Sequence, residues 1–93
     1  MAERITDDEM WEMIGFIKVS AIRLKTLKSL KSTFLMPSEI AKLTGYRTTQ
    51  ISNALHDLKE KKLVKCMNEE ARKGRIYQNT ELGLAILKML DED

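Results

Sequence analysis

Hydrophobic residues recur at helical spacing in most segments of this 93-residue chain, with polar residues between them. Between residues 37 and 62 the pattern divides into two short amphipathic helices. Pro37 suits the first position of the first helix, where its missing N–H is not needed. Ala41, Gly45 and Ile51 have the spacing A-x3-G-x5-I. This spacing is typical of a helix-turn-helix, with a small residue at the helix contact and a glycine in the turn.

Capping signals predict further helices around this pair. Thr6 and Glu9 can form a capping box for a first helix, which we expect to end or bend near Gly15. Ser20 can cap a second helix, and Thr80 can cap a final one with the sequence ELGLAILKML.

A β-hairpin is predicted before the final helix. Its strands would be LVKCM and RIYQ, and its charged tip NEEARKG. No repeat or Pro/Gly-rich linker divides the chain, and its length suits a single core. The sequence therefore predicts a mainly α fold with a small β-hairpin (α+β), a winged helix-turn-helix, in one domain over residues 1–93.

The composition argues against a secreted or membrane protein. Apolar runs are only a few residues long, and the acidic start MAERITDDE lacks the basic and apolar regions of a signal peptide. The single cysteine, Cys66, cannot form an internal disulfide, which fits a reducing compartment. We expect a cytoplasmic protein with no membrane partner.

The formal net charge of +2 conceals a strong partition along the chain. Residues 1–16 and 76–93 carry net charges of −4 and −3, whereas residues 17–46 and 47–75 carry +5 and +4. A basic middle between acidic ends is typical of a protein that binds a polyanion. A solvated lysine-rich surface explains the charge equally well.

The second helix of the helix-turn-helix, at about residues 48–62, has one apolar side with Ile51, Leu55 and Leu58. The opposite face carries short hydrogen-bonding side chains that suit base edges in a major groove. The candidate base-contacting residues are Thr48, Thr49, Gln50, Ser52, Asn53 and His56. The alternative is an ordinary polar helix face.

Cations in and around the hairpin tip can contact the DNA backbone or a minor groove. The predicted wing, residues 68–75, contains Arg72, Lys73 and Arg75. Further candidates for phosphate contacts are Arg47, Lys61, Lys62 and Lys65. Basic hairpin tips also occur as solubility features.

Catalytic and metal-binding patterns are absent from the sequence. His56 and Cys66 are the only His and Cys, and two ligands do not make a metal site. There is no P-loop, dinucleotide fingerprint or nucleophile with a paired base. We therefore expect no enzyme activity, no metal and no cofactor.

The terminal helices contain more apolar residues than one buried stripe requires. Leu84 and Leu87 are expected on a different side of the last helix from the residues that face the domain. The candidates for a homodimer interface are Trp11, Ile14, Leu84 and Leu87. Alternatively, the two terminal segments pack on each other within one chain.

Four blocks carry a family resemblance: FIKVSAIRLKTLKSL, PSEIAKLTG, ISNALHDLKEKKLV and GRIYQNTELGLAIL. Over residues 16–90 the chain resembles small archaeal winged helix-turn-helix regulators related to the ArsR and MarR types. The resemblance implies a recognition helix beginning near Thr48, a wing around Gly74 and dimers formed by terminal helices. Such families often have a capping Ser or Thr where this chain has Met36 and Arg47, so Thr48 is expected to cap the recognition helix.

Two functions follow as expectations. The first is a homodimeric, sequence-specific regulator of transcription that binds double-stranded DNA. The alternative is a winged-helix module that binds proteins in a transcription or replication assembly, since fold alone does not determine function. RNA is a weaker candidate because the chain has few aromatic residues to stack on bases.

Overall fold

The computed structural model describes residues 6–91, which form five helices and one two-stranded antiparallel sheet. In chain order these are α1 (Asp7–Lys18), α2 (Ala21–Ser29), α3 (Pro37–Thr44), α4 (Thr48–Glu60), β1 (Val64–Cys66), β2 (Tyr77–Asn79) and α5 (Glu81–Asp91). The predicted mainly α fold with a small β-hairpin is confirmed. Four of the charged residues counted in the two acidic ends of the chain lie outside the described residues: Glu3, Arg4, Glu92 and Asp93.

Helix α1 begins with the predicted capping box. The Glu9 N–H donates to Thr6 Oγ1 at 3.2 Å, and Glu9 Oε1 accepts from the Thr6 N–H at 3.4 Å. The helix does not end at Gly15, as the sequence suggested, but continues to Lys18. A glycine inside a helix costs only about 1 kcal/mol relative to alanine. Burial of residues on either side of it, such as Ile17, offsets that cost.

The turn between α3 and α4 is built on Gly45. Its backbone is in the left-handed region, with φ of +82°, and its N–H donates to the Ala41 carbonyl at 2.9 Å. Glycine adopts this conformation without the steric cost that a side chain would add. The turn therefore ends α3 at the position that the sequence spacing predicts.

Both helices of the helix-turn-helix lack a capping side chain at the residue that precedes them. Instead, Glu39 Oε1 accepts the Met36 N–H and Gln50 Oε1 accepts the Arg47 N–H, each at 2.9 Å. Each contact is one half of a capping box. The expectation that Thr48 caps α4 is wrong: the Arg47 carbonyl accepts the Ile51 N–H at 3.0 Å, so Arg47 is the cap residue and Thr48 is the first residue of the helix.

All five helices and β1 contribute buried residues to one core, and the contacts among α2, α3 and α4 form its centre. Ile51, Leu55 and Leu58 are buried on the inner side of α4, as predicted. The predicted cap of α2 is also present, since Ser20 Oγ accepts the Arg23 N–H at 3.4 Å.

The sheet pairs Val64 with Asn79 and Cys66 with Tyr77, which confirms the hairpin. Leu35 adds one further bridge on the other edge of β2, through two hydrogen bonds of 2.9 and 3.0 Å with Tyr77. This bridge fastens the segment between α2 and α3 to the end of β2 that is nearest the hairpin tip.

Helix α5 begins at Thr80, whose Oγ1 accepts the Gly83 N–H at 3.1 Å, so the predicted cap is present. The helix contacts α1, α2 and β2. As a result of this packing, two of the residues predicted for the dimer interface are buried within the chain, and the prediction is wrong for them. Ile14 and Leu87 belong to the core, with only 6% and 1% of their surface exposed.

The alternative reading of the terminal segments, that they pack on each other within one chain, accounts for Ile14 and Leu87 because α1 and α5 contact each other. Trp11 and Leu84 remain on the surface, with 66% and 41% of their area exposed. The surplus apolar surface at the ends is therefore smaller than the sequence suggested.

Candidate nucleic-acid interface

The outer face of α4 presents a row of short polar side chains to solvent. Thr48, Thr49, Ser52 and Asn53 are all exposed. Within residues 6–91 these four side chains make no hydrogen bond. Their donors and acceptors are therefore free to pair with an external partner.

Two other predicted base-contacting residues already have partners in α4 or at its N-terminal cap. Gln50 uses its Oε1 to hold the Arg47 N–H, and His56 Nε2 lies 3.2 Å from Glu60 Oε1. Bidentate pairing with adenine requires both the oxygen and the nitrogen of a side-chain amide. Asn53 is thus the amide on this helix that has both atoms available.

An open depression of about 500 Å³ lies between α3, α4 and the hairpin tip. Its lining residues are Met36, Pro37, Ser38, Thr48, Ser52, Arg72, Lys73, Gly74, Arg75 and Tyr77. The structure therefore brings two predicted base-contacting residues together with the three predicted wing cations.

Sequence reasoning missed Ser38 as a member of this surface. It lies in the first turn of α3, where backbone N–H groups have no partner within the helix and can meet a phosphate. Pro37 was the sequence signal that could have identified Ser38, because it marks the first turn of α3.

The wing (residues 68–75) is ordered by the side chain of Asn68. Its Oδ1 accepts the Ile76 N–H at 2.8 Å, and its Nδ2 donates to the Gly74 carbonyl at 3.1 Å. Gly74 has a positive φ of +69°, which allows the tip to turn. Regular strand pairing ends at Cys66 and Tyr77, and one further backbone bond joins the Met67 N–H to the Ile76 carbonyl at 2.7 Å. The bonds of Asn68 hold the chain together beyond that point.

Arg75 is also part of the wing's own framework. Its Nε donates to the Ala71 carbonyl at 2.9 Å, and its Nη2 donates to the Glu69 carbonyl at 3.1 Å. Arg72 and Lys73 are exposed and form no ion pair or hydrogen bond with the described part of the chain. They are the cations of the tip that remain free for phosphates.

An ion pair connects the wing to α4. Lys59 Nζ, on the last turn of the helix, contacts Glu69 Oε1. The hydrogen bond to Glu69 raises the pKa of Lys59, and the bond from Lys59 lowers the pKa of Glu69. Both groups are therefore charged at neutral pH. No sequence signal identifies this pair, because its members lie on different elements.

The other predicted phosphate-contacting residues do not line the depression. Arg47 is exposed at the turn before α4, and Lys65 is exposed on β1. Lys61 Nζ lies 5.6 Å from the centre of the Phe16 ring, beside α1. Lys62 forms the exit from α4 with φ of +63°, and its carbonyl accepts a hydrogen bond from Thr80.

Among residues 6–91, no group of three or more His, Cys, Asp or Glu residues could hold a metal ion. None of the helices formed by these residues combines the length and apolar character needed to cross a membrane.

No protein-family model and no curated protein matches the chain, but solved structures do. One is TubR bound to 24 bp of tubC, from Bacillus thuringiensis serovar israelensis pBtoxis. It has a TM-score of 0.79 and 10% sequence identity, and the match covers 98% of each chain. A second is NMB1585, a MarR family regulator from Neisseria meningitidis. Its TM-score is 0.71 at 20% identity, over 87% of this chain and 58% of that one.

A third is the homodimeric winged helix-turn-helix DNA-binding domain (fragment 1–100) of Mb0332 from Mycobacterium bovis, a possible ArsR-family transcriptional regulator. Its TM-score is 0.67 at 24% identity, over 99% of this chain and 87% of that domain. Identities this low establish a shared architecture rather than a shared activity. The chain has the winged helix-turn-helix fold.

Proposed function

We propose that the protein is a sequence-specific regulator of transcription that binds double-stranded DNA as a homodimer. Helix α4 would enter the major groove, which is wide enough for one α-helix, and the wing would contact the backbone or minor groove. The observation that carries the proposal is the row of unpaired polar side chains on α4 beside two free wing cations. Structures of TubR and of Staphylococcus aureus MepR, which share the fold, contain DNA.

The proposal includes several expectations from the sequence. The protein would be cytoplasmic, would consist of one domain over residues 1–93, and would have no enzyme activity, metal or cofactor. The similar structures described above come from bacteria, so the archaeal source suggested by the family resemblance has no support from them.

A second candidate function is a protein-binding winged helix. The observation that favours it is Leu43, which is 68% exposed on α3 in a groove also lined by Lys25 and Lys28. An exposed leucine flanked by cations suits an acidic apolar partner better than a phosphate backbone. Steep salt dependence of duplex binding would support the DNA-binding function.

We expect the double variant Arg72→Ala/Lys73→Ala to bind duplex DNA with a weaker salt dependence. Each neutralised phosphate contributes about −0.9 to the slope of log K against log salt, so the slope should become shallower by about 1.8. The slope is obtained from a titration of a fluorescent duplex at several salt concentrations.

The matched control for this experiment is Lys25→Ala/Lys28→Ala, which removes the same charge from α2. Its slope should stay close to the wild-type value. If the wing variant kept the wild-type slope and the α2 variant lost it, the basic groove beside Leu43 would be the polyanion-binding surface.

The homodimer would be formed by the exposed sides of α1 and α5. Trp11 is flanked by acidic residues such as Glu12, while Leu84 has Lys88 one turn further along α5. Packing α1 of one chain against α5 of the partner would join apolar surfaces, and Lys88 would offset part of the repulsion between these two acidic helices. The two-fold symmetry of this arrangement makes both contacts equivalent. Two recognition helices about 34 Å apart would then meet successive turns of DNA.

We expect Leu84→Glu to give a folded monomer with weaker affinity for a near-palindromic site. The new carboxylate would face the acidic α1 of the partner, and Leu84 is exposed enough for the chain to fold unchanged. Leu43→Glu, the same change on α3, should remain dimeric. Analytical ultracentrifugation measures the outcome, and a wild-type protein that is monomeric at micromolar concentrations with and without DNA would contradict the homodimer.

A further inference from the structure

The wing is held to the recognition helix by a continuous series of side-chain contacts. Lys59 on α4 contacts the carboxylate of Glu69, and the backbone carbonyl of Glu69 accepts a hydrogen bond from Arg75 at 3.1 Å. Arg75 in turn donates to the Ala71 carbonyl at 2.9 Å. The position of the wing tip is therefore connected to α4 through side chains as well as through the chain itself.

This connection matters because the wing extends beyond the supported part of the hairpin. Each strand has three residues, regular pairing stops at Cys66 and Tyr77, and the bridge from Leu35 also lies at Tyr77. A two-stranded hairpin without further support is at best marginally stable in water. Asn68 fixes the internal shape of the wing, but its bonds to Gly74 and Ile76 lie within the hairpin and do not orient it against α4.

Glu69 is unexpected on a surface that binds DNA. It adds a negative charge next to Arg72 and Lys73, and this charge opposes attraction of phosphates. Its ion pair with Lys59 also occupies a cation near the end of the recognition helix. The negative charge of Glu69 and its ion pair with Lys59 both weaken the non-specific attraction of DNA phosphates. Electrostatic attraction of DNA therefore does not explain why this pair is present.

We propose that Lys59 and Glu69 are positioning residues that set the orientation of the wing relative to α4 and thereby contribute to DNA sequence specificity. The inference rests on the proposed function. Correct orientation lets the wing and α4 contact one duplex simultaneously, so the benefit falls on the preferred site. Random DNA, bound mainly through its charge, gains less.

The size of the effect is limited by exposure. The Lys59 and Glu69 side chains retain 40% and 60% of their accessible surface, and exposed ion pairs change an equilibrium by no more than about five-fold. The quantity to measure is therefore the ratio of the affinity for a selected duplex to the affinity for a random duplex. A general change in the charge of the protein alters both affinities and leaves their ratio unchanged.

The test compares Glu69→Lys with Glu70→Lys, which makes the same change of charge at the next, exposed residue. Electrostatics alone predicts tighter binding of every duplex by both variants. We expect Glu70→Lys to preserve the ratio of selected to random affinity, and Glu69→Lys to lower it by about three- to five-fold. Lys59→Glu/Glu69→Lys, which restores the pair in reverse, should recover the wild-type ratio.

Amide hydrogen exchange in the absence of DNA provides a second measurement. The N–H groups of Ala71 and Ile76 are bonded within the hairpin, to the Asn68 carbonyl at 2.9 Å and to Asn68 Oδ1. Their exchange should be faster in Glu69→Lys than in Glu70→Lys, and should return to the wild-type rate in the reversed pair.

The outcomes separate the two proposals. Equal ratios for Glu69→Lys and Glu70→Lys, or a reversed pair that does not recover the ratio, would overturn the role of Lys59 and Glu69 while DNA binding stands. A wild-type protein that binds no duplex would refute the proposed function and the contribution to specificity. Hydrogen exchange would then still decide whether the ion pair orders the wing.

Discussion

Replacing Gly83 with alanine is expected to lower the free energy of unfolding by about 2 kcal/mol. This value is the cost of overpacking less the gain in helix propensity. Gly83 lies in the first turn of α5, buried against the backbone that leaves α4. A β-carbon at this position would collide with the carbonyl oxygen of Leu63 and would stand 3.4 Å from Leu27 Cδ1. The gain in helix propensity, about 1 kcal/mol, is too small to offset this overpacking.

The collision cannot be relieved by a side-chain movement, because the atom that is struck belongs to the backbone. The same Leu63 carbonyl accepts the Thr80 N–H at 3.1 Å, and Thr80 Oγ1 donates to the Lys62 carbonyl at 2.6 Å. Moving α5 away would stretch both bonds and loosen the contacts of Leu87 in the core.

Gly15→Ala is the matched control. Gly15 is exposed in α1, and apart from its chain neighbours and the backbone of its own helix no atom of residues 6–91 lies within 4 Å of the position of a new β-carbon. This change should stabilise the protein by up to about 1 kcal/mol, since alanine loses less conformational entropy than glycine in a helix. Denaturant unfolding measures the free energy of unfolding of both variants. The protein concentration is kept the same throughout, because the apparent stability of an oligomer depends on it. Equal stability of Gly83→Ala and wild type would contradict the close packing of α5.

Asn53→Ala is expected to lose about 1–3 kcal/mol of binding free energy for the preferred duplex, or roughly 5- to 150-fold in affinity. Asn53 lies on the exposed face of α4, and its amide makes no hydrogen bond within residues 6–91. Both amide atoms are therefore available for bidentate pairing with adenine. Alanine is a better helix former than asparagine, so loss of the helix should not contribute to the change.

A random duplex is the control for this variant, because contacts to phosphates do not depend on sequence. Asn53→Ala should bind the random duplex almost as tightly as the wild type does, so the loss is confined to the preferred site. An equal loss on both duplexes would mean that Asn53 positions the protein on the backbone. Unchanged binding to both would remove Asn53 from the interface.

The sequence alone determined the features that depend on neighbouring residues. The capping box of Thr6 and Glu9, the turn at Gly45 and the buried side of α4 all follow from short-range geometry: hydrogen bonds over three residues, a left-handed backbone and a 3.6-residue period. These local preferences agree with the final packing, so they could be identified before any tertiary contact was known. The helix-turn-helix followed from them, and the hairpin followed from the strand patterns LVKCM and RIYQ on either side of a charged tip.

Tertiary structure decided which parts of each helix are covered and which charges meet. Periodicity places Leu84 and Leu87 on α5 but does not give the width of the stripe that its neighbours cover, and packing against α1, α2 and β2 buries Leu87. The partners of Arg75 depend on the conformation of the wing itself, and the partner of Lys59 depends on the angle between α4 and the wing. That angle is set by contacts between residues distant in sequence, so the charges alone could not reveal which of them hold the wing and which remain free.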